Sequence, residues 1–234
     1  MMRFTDFERL GVSVAAMSDR SDGDCRRSDL PDGNSCAAFC ISLGLHPDRL
    51  VRAAQVHGVS VARASAKDSG RSADPSLEPF PETDAIITDV PGLPIGVTIA
   101  DCVPLWIFDP VTRSGGIVHA GRVGTFNNIA GAAVAELQEA YGAAPENIHA
   151  LIGPSAGPGA YEVSEEIAQD FAAAGLVVRG RMVDLWESNA LCLSQAGVPR
   201  SHISVSGICT ITDGRFHSHR AHDNGMRNLA ILVL

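Results

Sequence analysis

Three observations predict a single-domain α/β (α+β) fold in which a mixed sheet is flanked by helices. Residues 85–121 hold dense β-branched and aromatic runs, AIITD, IGVTIA, VPLWIFD and GGIVHAG, cut by the turn signals PGLP and DPVTRSG. Residues 124–197 carry helical stretches with capping and stop residues. Strands and helices do not alternate strictly, which favours a mixed sheet with helices packed around it. No internal repeat or linker divides residues 1–234, so one domain is expected.

In chain order, residues 18–35, SDRSDGDCRRSDLPDGNS, offer little apolar surface to offset ordering entropy and read as a long, flexible loop. Asn34 or Ser35 can cap a helix through CAAFCISLGL, which Gly44 ends. LVRAAQVHG reads as extended up to His57, VSVARAS as a strand, and residues 66–83 as a second loop. After the four central strands, GTFNNIAGAAVAELQEAYG reads as one helix closed by Gly142, with Pro145 just beyond. IHALIGP is a strand, and SEEIAQDFAAAG a helix capped by Ser164. DLWESNALCLSQAG is a helix stopped at Gly197-Val198-Pro199, and HISVSG and NLAILVL are the closing strands.

The composition, 45% hydrophobic and 19% charged over 234 residues, permits a substantial core. A formal net charge of -9 argues against a surface that tracks nucleic-acid phosphates. An anionic substrate would therefore have to meet a local basic pocket. No run approaches the roughly 18 apolar residues of a membrane span. The N-terminal MMRFTDFERLGVSV lacks the apolar core and cleavage site of a secretory signal. Cys25, Cys36, Cys40, Cys102, Cys192 and Cys209 form no CxxC pair, which fits reduced thiols and a cytosolic protein.

The stretch VTIADCVPLWIFDP (97–110) sets Asp101 and Cys102 between two hydrophobic strands, where an unpaired carboxylate is costly to bury. His57, Cys102 and His119 all fall at strand ends. Two imidazoles and a thiolate suit Zn²⁺, with copper a competitor, and three protein ligands leave an open position. Spacing alone favours buried cysteine and core histidine over a shared metal site, because the three match no short zinc motif. HAGRVGT, with Gly121, Arg122, Gly124 and Thr125, is either an anion-holding helix start or a plain strand-to-helix turn. IGPSAGPGAYEV is either a loop through which a ligand approaches backbone or a tight connection. FHSHRAHDNGMR crowds His217, His219, His222, Arg220 and Arg227 together. Its histidines are either metal ligands or a solvated loop, while its arginines suit phosphate or carboxylate.

Taken together, QVHG, TDAIITDVPGLPIGVTIADCVP, GGIVHAG, IGPS…YEV, DLWESN, GICT and the closing SHR…RNLA resemble the multicopper polyphenol oxidase, or laccase-domain, proteins. That family includes the YfiH-like and peptidoglycan-editing-factor proteins. The resemblance runs from about His57 to the C-terminus and is most specific at ADCVP and VHAG. It implies a single-domain mixed-sheet fold and a zinc site of His57, Cys102 and His119. It also implies purine nucleoside chemistry: phosphorolysis of adenosine, inosine or methylthioadenosine, and deamination of adenosine. In that setting Asp101 and Cys102 are the candidate catalytic residues. Arg220, Arg227, Gly121, Arg122, Gly124 and Thr125 are the candidates for holding substrate phosphate. Two segments depart from the family pattern. HAGWRG becomes HAGRVG, with Arg122 and Val123 in place of Trp and Arg, and SYRRDG becomes SHRAHD, with one arginine fewer. Two other readings stay open: a copper-dependent polyphenol oxidase, and a cell-wall-precursor editing factor with a diverged pocket.

Overall fold

The computed structural model describes residues 1–26, 35–71, 73–74, 76–222 and 225–234. Its first half runs β1 (Met2–Arg3), α1 (Thr5–Glu8), β2 (Val14–Met17), α2 (Ser35–Ser42), β3 (Val51–Arg52), β4 (Val61–Arg63), β5 (Ala85–Thr88) and β6 (Ile95–Ile99). The central pair β7 (Val103–Asp109) and β8 (Ser114–Ala120) leads into α3 (Arg122–Phe126), α4 (Ile129–Tyr141) and β9 (His149–Ile152). The rest is α5 (Glu165–Ala173), β10 (Val178–Arg179), β11 (Met182–Val183), α6 (Leu185–Gln195), β12 (Ile203–Val205), α7 (His219–His222) and β13 (Asn228–Val233).

The fold is mixed α/β, but the strands divide between two large sheets and one small hairpin. One sheet runs β1-β2-β13-β6-β3 and the other β12-β9-β7-β8-β5-β4, while β10 and β11 pair separately. Both large sheets are mixed: β3 runs parallel to β6, β4 to β5, and β12 to β9, and their other pairs are antiparallel.

Side-chain alternation explains the layering. Val103, Leu105 and Ile107 of β7 face a core shared with Ala133, Val134 and Leu137 of α4. Trp106 and Phe108, on the opposite face, pack with Ile95, Val97 and Ile99 of β6. Across β13, Ala230 and Leu232 enter this inter-sheet core, while Leu229, Ile231 and Val233 face Phe39 and Leu43 of α2. The result is α2, sheet, sheet and then the α4–α6 helices, four layers rather than the three that a single sheet allows.

The stretch 124–142 is two helices, not one. Asn128 takes a left-handed conformation, φ 62°, and its side chain accepts the Gly131 N–H, so the break is also the cap of α4. Ser164 caps α5 and Gly142 closes α4 at φ 69°, as the sequence predicts, and the Asp184 side chain caps α6. Of the expected loop over 18–35, residues 27–34 lie outside the described residues. The described part is partly packed, with Ser18 and Cys25 fully buried. Among the described residues no helix is long and apolar enough to cross a membrane.

Candidate metal centre

Register assembles the site. β7 and β8 pair Val103 with Ala120 and Pro104 with His119, so Cys102, just before β7, arrives beside the end of β8. The third residue comes from the segment after β3. Gln55 fixes that segment to β6 by donating from Nε2 to the Thr98 carbonyl at 2.8 Å and accepting the Thr98 N–H at 2.7 Å. The ligand atoms of His57, Cys102 and His119 then all lie within 4.8 Å of one another. Backbone strain collects here: Gln55, His57 and Asp101 all have positive φ, at 53°, 62° and 80°.

Asp84, fully buried at the entrance to β5, organises two of the three. Its Oδ1 lies 2.8 Å from His119 Nδ1 and accepts the His57 N–H at 2.9 Å, and its Oδ2 accepts the N–H groups of Gly58 at 2.7 Å and Val56 at 3.2 Å. Burial opposes its charge, but the His119 bond and the backbone donors outweigh it and hold the carboxyl below its ordinary range. With Nδ1 engaged, Nε2 is the nitrogen His119 has left for a metal, the carboxylate–histidine arrangement of metal sites.

The electrostatics match a ligand set. Burial disfavours the Cys102 thiolate, yet the His119 and His57 imidazoles hold its pKa down to about 6. Burial likewise opposes charge on His119, but the Cys102 thiolate and Asp84 raise it to about 9. Gly121, the residue before α3, is a close-approach glycine. A Cβ there would lie 2.9 Å from His57 Cδ2 and 3.0 Å from Cys102 Sγ. Any side chain would enter the space the donors share.

The centre opens through His57 and Cys102 into a cleft of about 330 Å³, whose wall includes Arg122, Tyr161, His219 and Arg220. Asp101 also lines it, but both carboxylate oxygens are engaged. Oδ1 accepts the Thr210 hydroxyl and Oδ2 the Arg220 backbone N–H, each at 2.7 Å. That pairing resolves why a carboxylate sits between two hydrophobic strands. The Arg220 guanidinium lies 4.7 Å from the Tyr161 ring centroid, and its Nη1 donates to the Glu162 carbonyl at 2.8 Å.

Other sequence candidates fall elsewhere. Arg227 is not in the cleft wall; its backbone N–H bonds Asp24 and its Nη1 the Met226 carbonyl. Thr125 is buried and its hydroxyl accepts from Asn189 Nδ2 at 2.9 Å. Gly124 packs beneath the Gly58 carbonyl. His217 is buried against the Gly23 carbonyl, and the side chain of His222 lies outside the described residues. In IGPSAGPGAYEV two of the glycines make room for neighbouring side chains: a Cβ on Gly153 would meet the Trp106 ring, and one on Gly157 Cys209 and the Trp186 ring, while Tyr161 of the same segment lines the cleft. Asp84, Thr210 and Tyr161 were not singled out by the sequence reading. An acid immediately before the buried strand AIIT was a usable signal for Asp84.

A family model described as multi-copper polyphenol oxidoreductase laccase matches residues 33–234, starting well upstream of the His57 motif. A purine nucleoside phosphorylase of Deinococcus radiodurans is 38% identical over 210 residues, covering 87% of this chain and 75% of that protein. Adenosine deaminase RL5, from an unknown prokaryotic organism, is 33% identical over 182 residues, covering 74% and 69%. The crystal structure of YlmD from Geobacillus stearothermophilus superimposes with a TM-score of 0.84 at 29% identity, covering 94% of this chain and 91% of that one. With the match spanning most of its length, this chain belongs to the multi-copper polyphenol oxidoreductase laccase family, whose named members include YlmD-type purine nucleoside phosphorylases.

Proposed function

We propose that the chain is a zinc-dependent enzyme of purine nucleosides, acting by phosphorolysis, by deamination of adenosine, or by both. The observation that carries this reading is the convergence of His57, Cys102 and His119 on a cleft that also presents Arg122 and Arg220. The names of the relatives supply the substrate class. Zinc held by those three side chains supplies Lewis acidity at an open coordination position.

The remaining work falls to the chain itself. Arg122 and Arg220 give an acidic protein a local cationic wall, and guanidinium groups bind phosphate through paired N–H donors. Arg122 thus takes the place in the cleft that the altered HAGRVG segment had put in question. Asp101 acts through Arg220: by accepting its backbone N–H it fixes the start of α7 and the direction of the arginine. Tyr161 supports the guanidinium face. Asp84 sets the ring orientation of His119 and holds the backbone of His57. The cleft volume lies at the lower end of the range of small-molecule pockets, about 300–1,000 Å³.

The test is chromatography of adenosine incubated with zinc-loaded protein, with and without phosphate. Inosine in both reactions identifies deamination, and free adenine only with phosphate identifies phosphorolysis. If neither product appears, the nucleoside reading fails. The same donor set also suits copper, so metal analysis of protein purified without added metal must show zinc rather than stoichiometric copper.

A further inference from the structure

A second cavity, of about 470 Å³, lies between the N-terminal segment and the β12 edge of the six-stranded sheet. It shares no lining residue with the metal cleft. His149 in its wall pairs with Phe108 across β7 and β9, six residues along β7 from Cys102 and so roughly 20 Å of strand away. Phe4, Phe7, Leu151 and Ile208 form its apolar part, continuous with the inter-sheet core. His149 and His202 line it as a stacked pair, with ring centroids 4.1 Å apart and planes 14° from parallel, beside Ser204 and Ser206.

This wall selects an uncharged ligand. Its two permanently charged side chains are already matched, Arg3 by Glu8 at 2.8 Å and Asp6 by Arg9 at 2.6 Å. Burial, with His202 beside it, holds His149 below the ordinary histidine range, so its ring is neutral at neutral pH. Phenylalanine rings and stacked imidazoles favour a flat ring system. The hydroxyls and ring nitrogens favour one whose edge carries both hydrogen-bond donors and acceptors. His202 Nδ1 and Ser206 Oγ sharpen that preference: both are screened from solvent, and neither has a hydrogen-bond partner among the described residues. A buried polar atom left without a partner is costly. Turning either side chain toward the cavity exchanges that defect for a bond to the edge of a ligand.

We propose that this cavity is an effector site for a free, uncharged heterocycle of the nucleobase type, and that its occupancy is read out at Arg220 in the metal cleft. β12 is a three-residue edge strand paired with β9, so it is held from one side. The segment that follows it runs from the cavity to the cleft. The Ile208 carbonyl accepts the Ser155 N–H at 3.2 Å, and the Thr210 N–H donates to the Ser155 carbonyl at 2.9 Å. The Thr210 hydroxyl holds Asp101 Oδ1, and Asp101 Oδ2 holds the Arg220 N–H, each at 2.7 Å. A ligand that turns Ser206 shifts one end of this run of bonds, and Arg220 stands at the other. The ligand chemistry comes from the cavity's own wall and stands whatever reaction the cleft performs.

The experiment follows hydrogen–deuterium exchange by mass spectrometry in zinc-loaded, full-length protein, with adenine as the probe. Adenine is expected to slow exchange over 1–10 and 202–210 and to alter it over 218–222. Ser206→Ala and His202→Phe each weaken that binding about three- to tenfold. Ser206→Ala leaves the melting temperature of the unliganded protein unchanged, because the oxygen it removes has no partner to lose. Thr210→Val keeps the protection over 202–208 and abolishes the response over 218–222; Ser206→Ala remains decisive if Thr210→Val does not fold. AMP keeps the ring but adds charge that the wall cannot match, and it leaves 1–10 and 202–210 unprotected. Adenine protecting only the cleft segments 57–58 and 119–123, or nothing, removes the cavity as its site. Equal protection by AMP, or parent-like adenine binding in both Ser206→Ala and His202→Phe, overturns the ligand chemistry. A response over 218–222 that survives Thr210→Val overturns the connection to Arg220.

Discussion

Cys102 sits where a thiolate faces two imidazoles, and that setting makes its replacement diagnostic. Cys102→Ala removes a charge and a donor, so zinc content and turnover fall together while the sheets persist. Retained zinc with lost turnover would make it a covalent nucleophile, and retention of both would make it a packing residue. The pH dependence follows from the metal-free side chains. Near neutral pH Cys102, at about 6, is already a thiolate, and His119, at about 9, still carries a proton. Binding a divalent cation must then expel about one proton, from His119. Raising the pH toward 9 removes that proton beforehand, so affinity climbs from neutral pH to about 9 and then levels off. Calorimetry in buffers of different ionisation enthalpy measures both effects. The Arg220 side chain is exposed and lines the open cleft. Arg220→Met keeps most of the apolar bulk against Tyr161 but loses charge-assisted bonds of about 1.5–3 kcal/mol each. The KM for phosphate is expected to rise about tenfold or more, with little change in melting temperature. A variant with a clearly lower melting temperature and an unchanged KM for phosphate would mark the arginine as structural.

At the scale of elements, β7 was the most legible part of the chain and also the most misleading. Both of its faces are buried, so VPLWIFD reads as one continuous hydrophobic run. That pattern announces a strand but does not say that one face meets helices and the other a second sheet. The two-residue strands β1, β3, β10 and β11 carry too few positions to show any period. Caps were the better guide, since Ser164 and Gly142 act locally and need no tertiary partner. The inter-sheet contact has its own test. Trp106 Nε1 donates to the Ile231 carbonyl of β13 at 2.8 Å, a polar tie across an otherwise apolar layer. Trp106→Phe removes that bond and part of the ring packed against Gly153. The expected loss is about 1–3 kcal/mol, measured by denaturant unfolding, with metal binding unchanged because β7 still delivers Cys102. A loss of zinc in this variant would show that sheet spacing, not only register, shapes the centre.

For the whole molecule, the site is a product of long-range assembly, which is why spacing alone could not decide it. His57, Cys102 and His119 come from three separate segments, and sequence distance says nothing of their meeting until β7 pairs with β8 and Asp84 fastens the QVHG segment beside them. The resemblance at QVHG, ADCVP and VHAG named the three residues; the carboxylate that holds two of them in place did not stand out from the sequence. The dependence runs one way. The three hydrophobic cores are built from residues other than the three donors, apart from Cys102 packed at one margin. Chelation is therefore expected to leave the circular dichroism of the sheets and helices intact. Because metal binds only the assembled site, the melting temperature should rise with free zinc in the logarithmic way of a ligand specific to the folded state. Asp84→Asn separates assembly from folding. An amide can keep one acceptor for the backbone N–H groups, but it loses the charge that polarises His119. Metal affinity should drop about 10- to 100-fold, and the zinc-dependent rise in melting temperature should shift to correspondingly higher zinc. If chelation collapses the secondary structure, or Asp84→Asn binds zinc as tightly as the parent, the centre is part of the folding core and Asp84 is not what orients it.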